Sequence, residues 1–346
     1  MTMPTNPLPQ LPNILLPWYR ANARDLPWRR NRDPYRVWLS EIMLQQTRVE
    51  AVKGYYARFL QALPSIADLA DVDDDKLMKL WEGLGYYNRA RNLKRAAQVI
   101  IDAYGGAFPR THAEILALPG IGPYTAGAIA SICFGLPSPA VDGNVLRVYA
   151  RLTATMDCVD LPAVKRRVTD ELANILPDTD PAAFNQALME LGAMVCLPNG
   201  APQCHACPLA QLCQARAAGT QLQYPVRRKK KARRVEELTV FILTSNGTLA
   251  VEKRESDGLL AGLWALPNVP DTLGEHEALA LAKHWGADPI ELTKCSRKNH
   301  IFTHVEWHMT GYYIQCRTAC PPFTWVCDTQ RSDRVALPTA FRQFIY

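Results

Sequence analysis

The chain has 346 residues, nearly half of them hydrophobic and about a fifth charged, with a net charge of +6. That composition supports a packed core and excludes a globally disordered chain. The apolar runs fall short of the about 18 residues a membrane span needs. The opening MTMPTNPLPQLP has neither the basic start nor the apolar stretch of a secretion signal, so a cytoplasmic location is expected. Ten cysteines in such a chain are read as thiols, some of them metal ligands, rather than as a disulfide framework. The mild positive charge permits nucleic-acid binding without establishing it.

From Leu11 to Gln211 the apolar residues recur mostly at helical spacing, interrupted by Gly and Pro. In DPYRVWLSEIMLQQT, Asp33 and Pro34 read as a helix cap and first helical residue, and Glu41 shares a face with Val37, Trp38 and Leu44. A glutamate there is either a salt-bridge partner at the edge of the apolar stripe or a desolvated carboxyl, kept protonated as a general acid. Further on, LPGIGPYTAGAI (118–129) makes a Gly-x-Gly turn into a helix that Pro123 can start. Preceded by HAEILAL, it reads either as a helix-hairpin-helix, whose free N–H groups at Gly120 and Gly122 grip a DNA backbone, or as a plain packing corner. In VDGNVLRVYARL, Asp142 stands just before a helix. That is the ordinary position of an N-cap, and it also suits a catalytic carboxylate held ionised by helix N–H donors. One carboxyl pushed up and one held down is the pattern of an acid and a charge stabiliser.

Four of the cysteines, Cys196, Cys204, Cys207 and Cys213, lie within eighteen residues at the spacing C-x7-C-x2-C-x5-C. Four thiolates can surround one metal centre, and the spacing leaves tetrahedral zinc and a [4Fe-4S] cluster both open. After them RRKKKARR (227–234) places seven basic residues in eight, a solvated linker that can also rest on phosphates. The texture then changes. ELTVFILTSNGTLAVEKRE reads as two strands joined by an Asn246-Gly247 turn, and HIFTHVEWHMTGYYIQC as one further strand. On a single strand His300, His304 and His308 share a face, which raises a metal site, although no fourth ligand is evident. The expected organisation is a helical domain over 1–224, a basic linker over 225–235 and a smaller α+β domain over 236–346.

Taken together, LPWRRNRDPYRVWLSEIMLQQTRV, LWEGLGYYNRARNL, LPGIGPYTAGAI, VDGNVLRV and FNQALMELGAMVC resemble, in order, motifs of the base-excision DNA glycosylases related to endonuclease III, and most closely of the adenine DNA glycosylases. The resemblance implies an all-α glycosylase of two helical lobes carrying a [4Fe-4S] cluster on Cys196, Cys204, Cys207 and Cys213, followed by a Nudix-like domain. It implies a monomer that acts on duplex DNA in which adenine is mispaired with 8-oxoguanine or guanine, nucleoid-associated in a bacterial cell. Glu41 matches the acid that protonates adenine at N7, and Asp142 the carboxylate that stabilises or bonds to the oxocarbenium sugar. Asn144 and Tyr124 match groups that hydrogen-bond around them, and Arg24, Trp28, Arg29, Leu44 and Gln186 match the adenine pocket. Gln46 and Tyr86 match side chains that wedge into the duplex when the base leaves the stack.

Tyr124 stands where bifunctional relatives carry a nucleophilic lysine, so the resemblance points to hydrolysis by water without strand cleavage. The first cysteine gap is one residue longer than the family's usual one, and a turn at Asn199-Gly200 could absorb the insertion. In the last domain FTH (302–304) matches a loop that senses 8-oxoguanine, with Thr303 in place of the usual serine between Phe302 and His304. EHEALALAKHWG lacks the carboxylates of a Nudix metal helix, so pyrophosphohydrolase activity is not expected. Two other readings remain at this stage, a catalytically silent lesion sensor on the same scaffold and a nucleotide-pool hydrolase run by the last domain.

Overall fold

Aspartate and proline set most of the helix starts. The computed structural model describes residues 6–229 and 231–345, and within it the helices run α1 (Leu11–Asn22), α2 (Pro34–Leu44), α3 (Val49–Ala62), α4 (Ile66–Asp71), α5 (Asp74–Trp81), α6 (Asn88–Tyr104), α7 (His112–Ala117), α8 (Pro123–Phe134), α9 (Gly143–Leu152), α10 (Pro162–Ala173), α11 (Pro181–Met194) and α12 (Gln214–Ala217). Asp33 caps α2 by accepting from Arg36 N, Asp142 caps α9 by accepting from Val145 N, and Asp180 caps α11 by accepting from Ala183 N. Pro34, Pro123 and Pro181 occupy the first helical position, where a missing N–H costs nothing. No described helix is long and apolar enough to cross a membrane.

The chain forms two compact units, Met1–Asp71 with Asn92–Lys229, and Val72–Arg91 with Lys230–Tyr346. In the first, α11 packs against α1, α8 and α9. Its Phe184, Leu188 and Leu191 join Leu11 and Leu15 of α1 and Val148 of α9 in one core. Each side chain buried this fully contributes about 2 kcal/mol. A second set of aromatic contacts holds α2: Trp38 meets Phe108 edge-on with ring centroids 5.6 Å apart. The hairpin between α7 and α8 is built as its residues suggest. Thr111 and Glu114 close a capping box on α7, and Gly120 turns the chain at φ 76°. A Cβ on Gly120 would lie 2.5 Å from that of Asn92, so the turn requires glycine for its conformation and for its clearance.

The second unit is a mixed sheet in the order β3-β2-β1-β6-β5. Its main strands are β1 (Arg234–Ser245), β2 (Thr248–Lys253), β3 (Trp264–Ala265), β4 (Asn268–Val269), β5 (Pro289–Ile301), β6 (Val305–Cys316) and β7 (Thr324–Val326), with α13 (Glu275–His284), α14 (Asp328–Arg334) and α15 (Thr339–Arg342). β1 pairs parallel with β6 and antiparallel with β2 through the expected turn, where Asn246 (φ 48°) and Gly247 (φ 74°) are both left-handed. Alternation along β1 feeds two cores: Leu238, Val240 and Ile242 face α15, whereas Phe241 and Leu243 face α13. Residues 72–91 belong to this unit through side-chain ties. Lys79 Nζ donates to the Arg331 and Val335 carbonyls at 3.1 Å, Glu82 accepts from Leu337 N at 2.8 Å, and Asp75 pairs with Lys253 at 2.9 Å.

The run HIFTHVEWHMTGYYIQC is not one strand. It folds back at Phe302–His304, where Phe302 N donates to the Val305 carbonyl at 2.8 Å, and β5 pairs antiparallel with β6. His300 therefore lies on β5, His304 in the turn and His308 on β6, opposite Asn299. The shared histidine face does not exist, because the period-2 argument fails across a hairpin. His308 instead contacts Glu306 at 3.0 Å and Glu237 at 3.3 Å.

Candidate active site

The site is assembled within the first unit from α2, α8, the start of α9 and one face of α11. Glu41 is 7% exposed, in the middle of a helix buried without a break from Val37 to Met43. Its Oε2 accepts a 2.5 Å hydrogen bond from the Tyr124 hydroxyl, carried in the first turn of α8 behind the Gly-x-Gly hairpin. Burial pushes the Glu41 carboxyl up to about 7. The Tyr124 hydrogen bond pulls back, and the nearby Asp142 charge adds to the rise. The phenol itself is pushed well above its ordinary value by burial and by both carboxyls, so it stays a donor.

Asp142 is fixed by its own helix. Its Oδ1 accepts from Val145 N at 2.8 Å and its Oδ2 from Asn144 Nδ2 at 2.6 Å. Arg147 then holds Asn144, donating from Nη2 to Oδ1 at 2.9 Å. α11 approaches this point closely: a Cβ on Gly192 would lie 2.6 Å from that of Asn144. The loop leading to Asp142 is tied by buried Asn185, which accepts from Ala140 N at 3.0 Å and donates to the Ser138 carbonyl at 2.8 Å. The expectation that capping holds Asp142 down needs correction. Its pKa is raised, because burial outweighs the donors from Val145 and Asn144. In the free protein both carboxyls are pushed toward the neutral form.

A third carboxyl, not picked out from the sequence, organises the other end. Glu190 of α11 accepts from Arg24 Nε and Nη2 at 2.8 and 2.7 Å, and from Arg29 Nη1 and Nη2 at 3.1 and 2.8 Å. Burial alone would raise it, but the two guanidiniums outweigh that and hold it down at about 2. The lone acid in the apolar run FNQALMELGAM was the available signal, the same one that picked out Glu41. Gln186, one turn earlier, accepts from the Tyr19 hydroxyl at 3.1 Å, and Met189 Sδ on the same face lies 3.4 Å from the Tyr124 hydroxyl. The structure thus brings Arg24, Arg29 and Gln186 together. Trp28 is buried edge-on against Tyr56 at 5.5 Å, and Leu44 is the half-buried last residue of α2.

Gln46 and Tyr86 share a backbone feature, left-handed φ values of 58° and 48°, uncommon for residues with side chains. Tyr86 is about half exposed, and its hydroxyl lies 3.0 Å from Thr303 Oγ1 within the second unit. Thr303 and His304 are exposed at the hairpin tip, whereas Phe302 packs on Trp307 at 4.9 Å. Space is open around the position a Gly122 Cβ would take, which leaves the hairpin backbone approachable.

Cys196, Cys204, Cys207 and Cys213 line one cavity with Arg151, Arg216 and Gln221, and Gly200 makes the expected turn at φ 73°. Arg151 donates to Cys196 Sγ at 3.3 Å. Burial pushes Cys207 up to about 11, the Leu209 N–H pulls back, and the neighbouring thiols add to the rise. Four mutually repelling thiolates are what a cationic centre would hold together. Among the described residues no three side chains close in on a single-ion position.

The hairpin, the helix-capping aspartate and the buried glutamic acid together fit the class of helix-hairpin-helix base-excision DNA glycosylases. The HhH-GPD superfamily base excision DNA repair protein family matches residues 39–173, and the NUDIX domain family matches residues 239–346. The adenine DNA glycosylase of Homo sapiens is 35% identical over 95% of this chain and 72% of its own length, and that of Rattus norvegicus is 34% identical over 90% and 71%. Among solved structures, a thermostable thymine-DNA glycosylase is similar with a TM-score of 0.55 at 31% identity, over 60% of this chain and 94% of that one. A non-covalent endonuclease III–DNA complex is similar with a TM-score of 0.53 at 26% identity, over 61% and 97%. The chain belongs to the adenine DNA glycosylase family.

Proposed function

We propose that the protein removes adenine mispaired with 8-oxoguanine, and with guanine, by hydrolysing its N-glycosidic bond after flipping the base from the duplex. The observation that carries this reading is Glu41, a carboxyl whose pKa burial raises to about 7, so that it keeps much of its proton near neutral pH, beside Asp142. Glu41 gives its proton to adenine N7 as the C1′–N9 bond breaks, so adenine leaves neutral and the bonding pair goes with it. The sugar is left as an oxocarbenium ion beside Asp142. That cation favours the ionised form of Asp142 and reverses the effect of burial. Water then adds to C1′ and a proton is released, which leaves an abasic site. Tyr124 offers a hydroxyl where a Schiff base needs an amine, so the product strand stays intact until alkali is added.

Phe302, Thr303 and His304 are the proposed reader of 8-oxoguanine, with the Thr303 hydroxyl as the polar contact. Gln46 and Tyr86 are the proposed wedges, already strained in backbone as side chains held outward for a special task often are. Cys196, Cys204, Cys207 and Cys213 would hold a [4Fe-4S] cluster, which would tie together the segment after α11. The four thiols line one cavity, and the family resemblance favours the cluster over zinc. Iron and sulfide at about four each per chain are expected; zinc alone would overturn the cluster.

The test of the function is incubation with a duplex carrying adenine opposite 8-oxoguanine, followed by strand analysis with and without alkali and with borohydride. Cleavage only after alkali, with no trapped adduct, is the expected result. Absence of adenine release would refute the reading, and nicking with a trapped adduct would refute its monofunctional part.

A further inference from the structure

We infer that Tyr19 is a positioning residue for base recognition, the second anchor that, with the Ala182 carbonyl, holds the Gln186 amide in one orientation toward the flipped base. The inference rests on the glycosylase reading above and deepens it. A glutamine side chain ends in two groups of nearly the same shape and opposite polarity, a carbonyl that accepts and an amino group that donates. Left to itself, such an amide can turn over and satisfy either of two bases that differ only in hydrogen-bond pattern.

Gln186 is not left to itself. The Tyr19 hydroxyl donates to its Oε1 at 3.1 Å, and its Nε2 donates to the Ala182 carbonyl at 3.3 Å. A backbone carbonyl can only accept, so the amino group is committed to that side and the carbonyl to the tyrosine. Turning the amide over would set two acceptors against each other at Ala182. Tyr19 is itself held: α1 packs along α11 through buried Leu11 and Leu15, and the Arg29 guanidinium lies 5.7 Å from the Tyr19 ring centroid. Arg29 also grips Glu190, one helical turn beyond Gln186. The phenol is thus wired into the arginine–glutamate end of the site, and the charges of Arg29, Glu190, Asp180 and Arg24 all act on it.

A locked amide discriminates by leaving the wrong base with an unpaired polar group, a larger penalty than any gain from the right one. Adenine and hypoxanthine are suited to expose this. They have almost the same shape, but adenine carries an amino donor at the six position where hypoxanthine carries a carbonyl acceptor. The wild-type enzyme is expected to release adenine faster than hypoxanthine. Tyr19→Phe keeps the ring and removes the hydroxyl, so the amide is held at the Ala182 carbonyl alone, becomes freer to turn, and the preference narrows.

The experiment is single-turnover base release from duplexes carrying adenine or hypoxanthine opposite 8-oxoguanine, by the full-length wild type, Tyr19→Phe, Gln186→Leu and the double variant, with thermal melting of each. The expected result is a fall of about tenfold in the adenine-to-hypoxanthine rate ratio for Tyr19→Phe. In the Gln186→Leu background the same change should leave the ratio within about twofold, since the partner through which Tyr19 acts is gone. Wild-type protein that releases no adenine refutes the glycosylase reading itself, independently of Tyr19. Wild-type release without preference, an unchanged ratio in Tyr19→Phe with both rates falling together, or a persistent effect in the Gln186→Leu background each overturns the positioning role.

Discussion

The site holds one buried glutamate at each end and treats them oppositely. Glu41 and Glu190 are 7% and 1% exposed, and burial raises both. The difference lies in their donors. Glu41 receives a hydrogen bond from a neutral phenol and feels the charge of Asp142, and it settles at about 7. Glu190 receives two guanidiniums and settles at about 2. Burial makes a carboxyl sensitive; its partner decides whether it keeps its proton or loses it. One residue type can therefore supply, within a single site, a carboxyl that keeps its proton and one that loses it.

The two also load stability onto opposite ends of the pH scale. Glu41 titrates above the ordinary 4.5 of a glutamate, so the folded chain binds a proton that the unfolded chain gives up. Its favourable contribution is full at low pH and is lost as pH rises from 4.5 through about 7, at a cost of roughly 3 kcal/mol. Glu190 titrates below 4.5, so its contribution is present above that pH and is lost as pH falls toward about 2.

The largest effect expected is from Glu41→Gln, which removes the acid and the buried charge at once. Single-turnover adenine release should fall by about 10³-fold or more. The same variant should melt above the wild type at pH 8, and no higher at pH 4, where the native carboxyl is already neutral. Near-normal excision would end the assignment of Glu41 as the acid. An equal melting difference at both pH values would break the contrast drawn between the two glutamates.

Glu190→Gln is expected to act the other way. It strands Arg24 and Arg29 without their anion, and breaking a buried ion pair on one side costs about 3 kcal/mol or more. Melting at pH 7 should drop accordingly, and the gap from wild type should shrink as pH is lowered toward the point where Glu190 itself protonates. Base release should fall through weaker binding of the flipped base, seen as a raised KM rather than only a lowered rate. An unchanged melting temperature would show that the arginines do not depend on Glu190.

What the sequence showed and what it hid follow the range of the interactions. Asp33-Pro34, Thr111 with Glu114, and Gly120 through Pro123 are local signals, and each formed the cap or turn its residues favour. Glu41 was legible as a misplaced charge in an apolar pattern. Glu190 carried the same mark, but the arginines that decide its charge lie more than 160 residues away in sequence. The raised state of Asp142 was hidden because capping is a local fact and burial is not. Phe302–His304 turns without Gly, Pro, Asn or Asp, so nothing in its composition separated β5 from β6. Residues 72–91 read as ordinary helix and loop. Their place in the second unit rests on Lys79, Glu82 and Asp75 meeting partners more than 170 residues away in sequence.

The smallest effect tests the comparison most finely. If the donor decides the fate of a buried glutamate, then removing the donor from Glu41 should move it further from Glu190, not closer. Tyr124→Phe does this while keeping the ring. The 2.5 Å hydrogen bond favours the ionised form of Glu41, so its loss raises the pKa above the present value of about 7. The alkaline limb of the pH–rate profile, which follows deprotonation of the acid, should shift to higher pH. On the acid side of that limb the rate should fall by about tenfold, because the carboxylate formed on proton donation has lost its hydrogen bond and a weaker acid gives up its proton less readily. The two effects oppose each other at high pH, so variant and wild type should draw together there. A limb that stays in place would show that Asp142 and burial alone set the Glu41 proton. A limb that moves to lower pH would mean that the phenol had been holding the proton on, and the contrast between neutral and charged donors would fail.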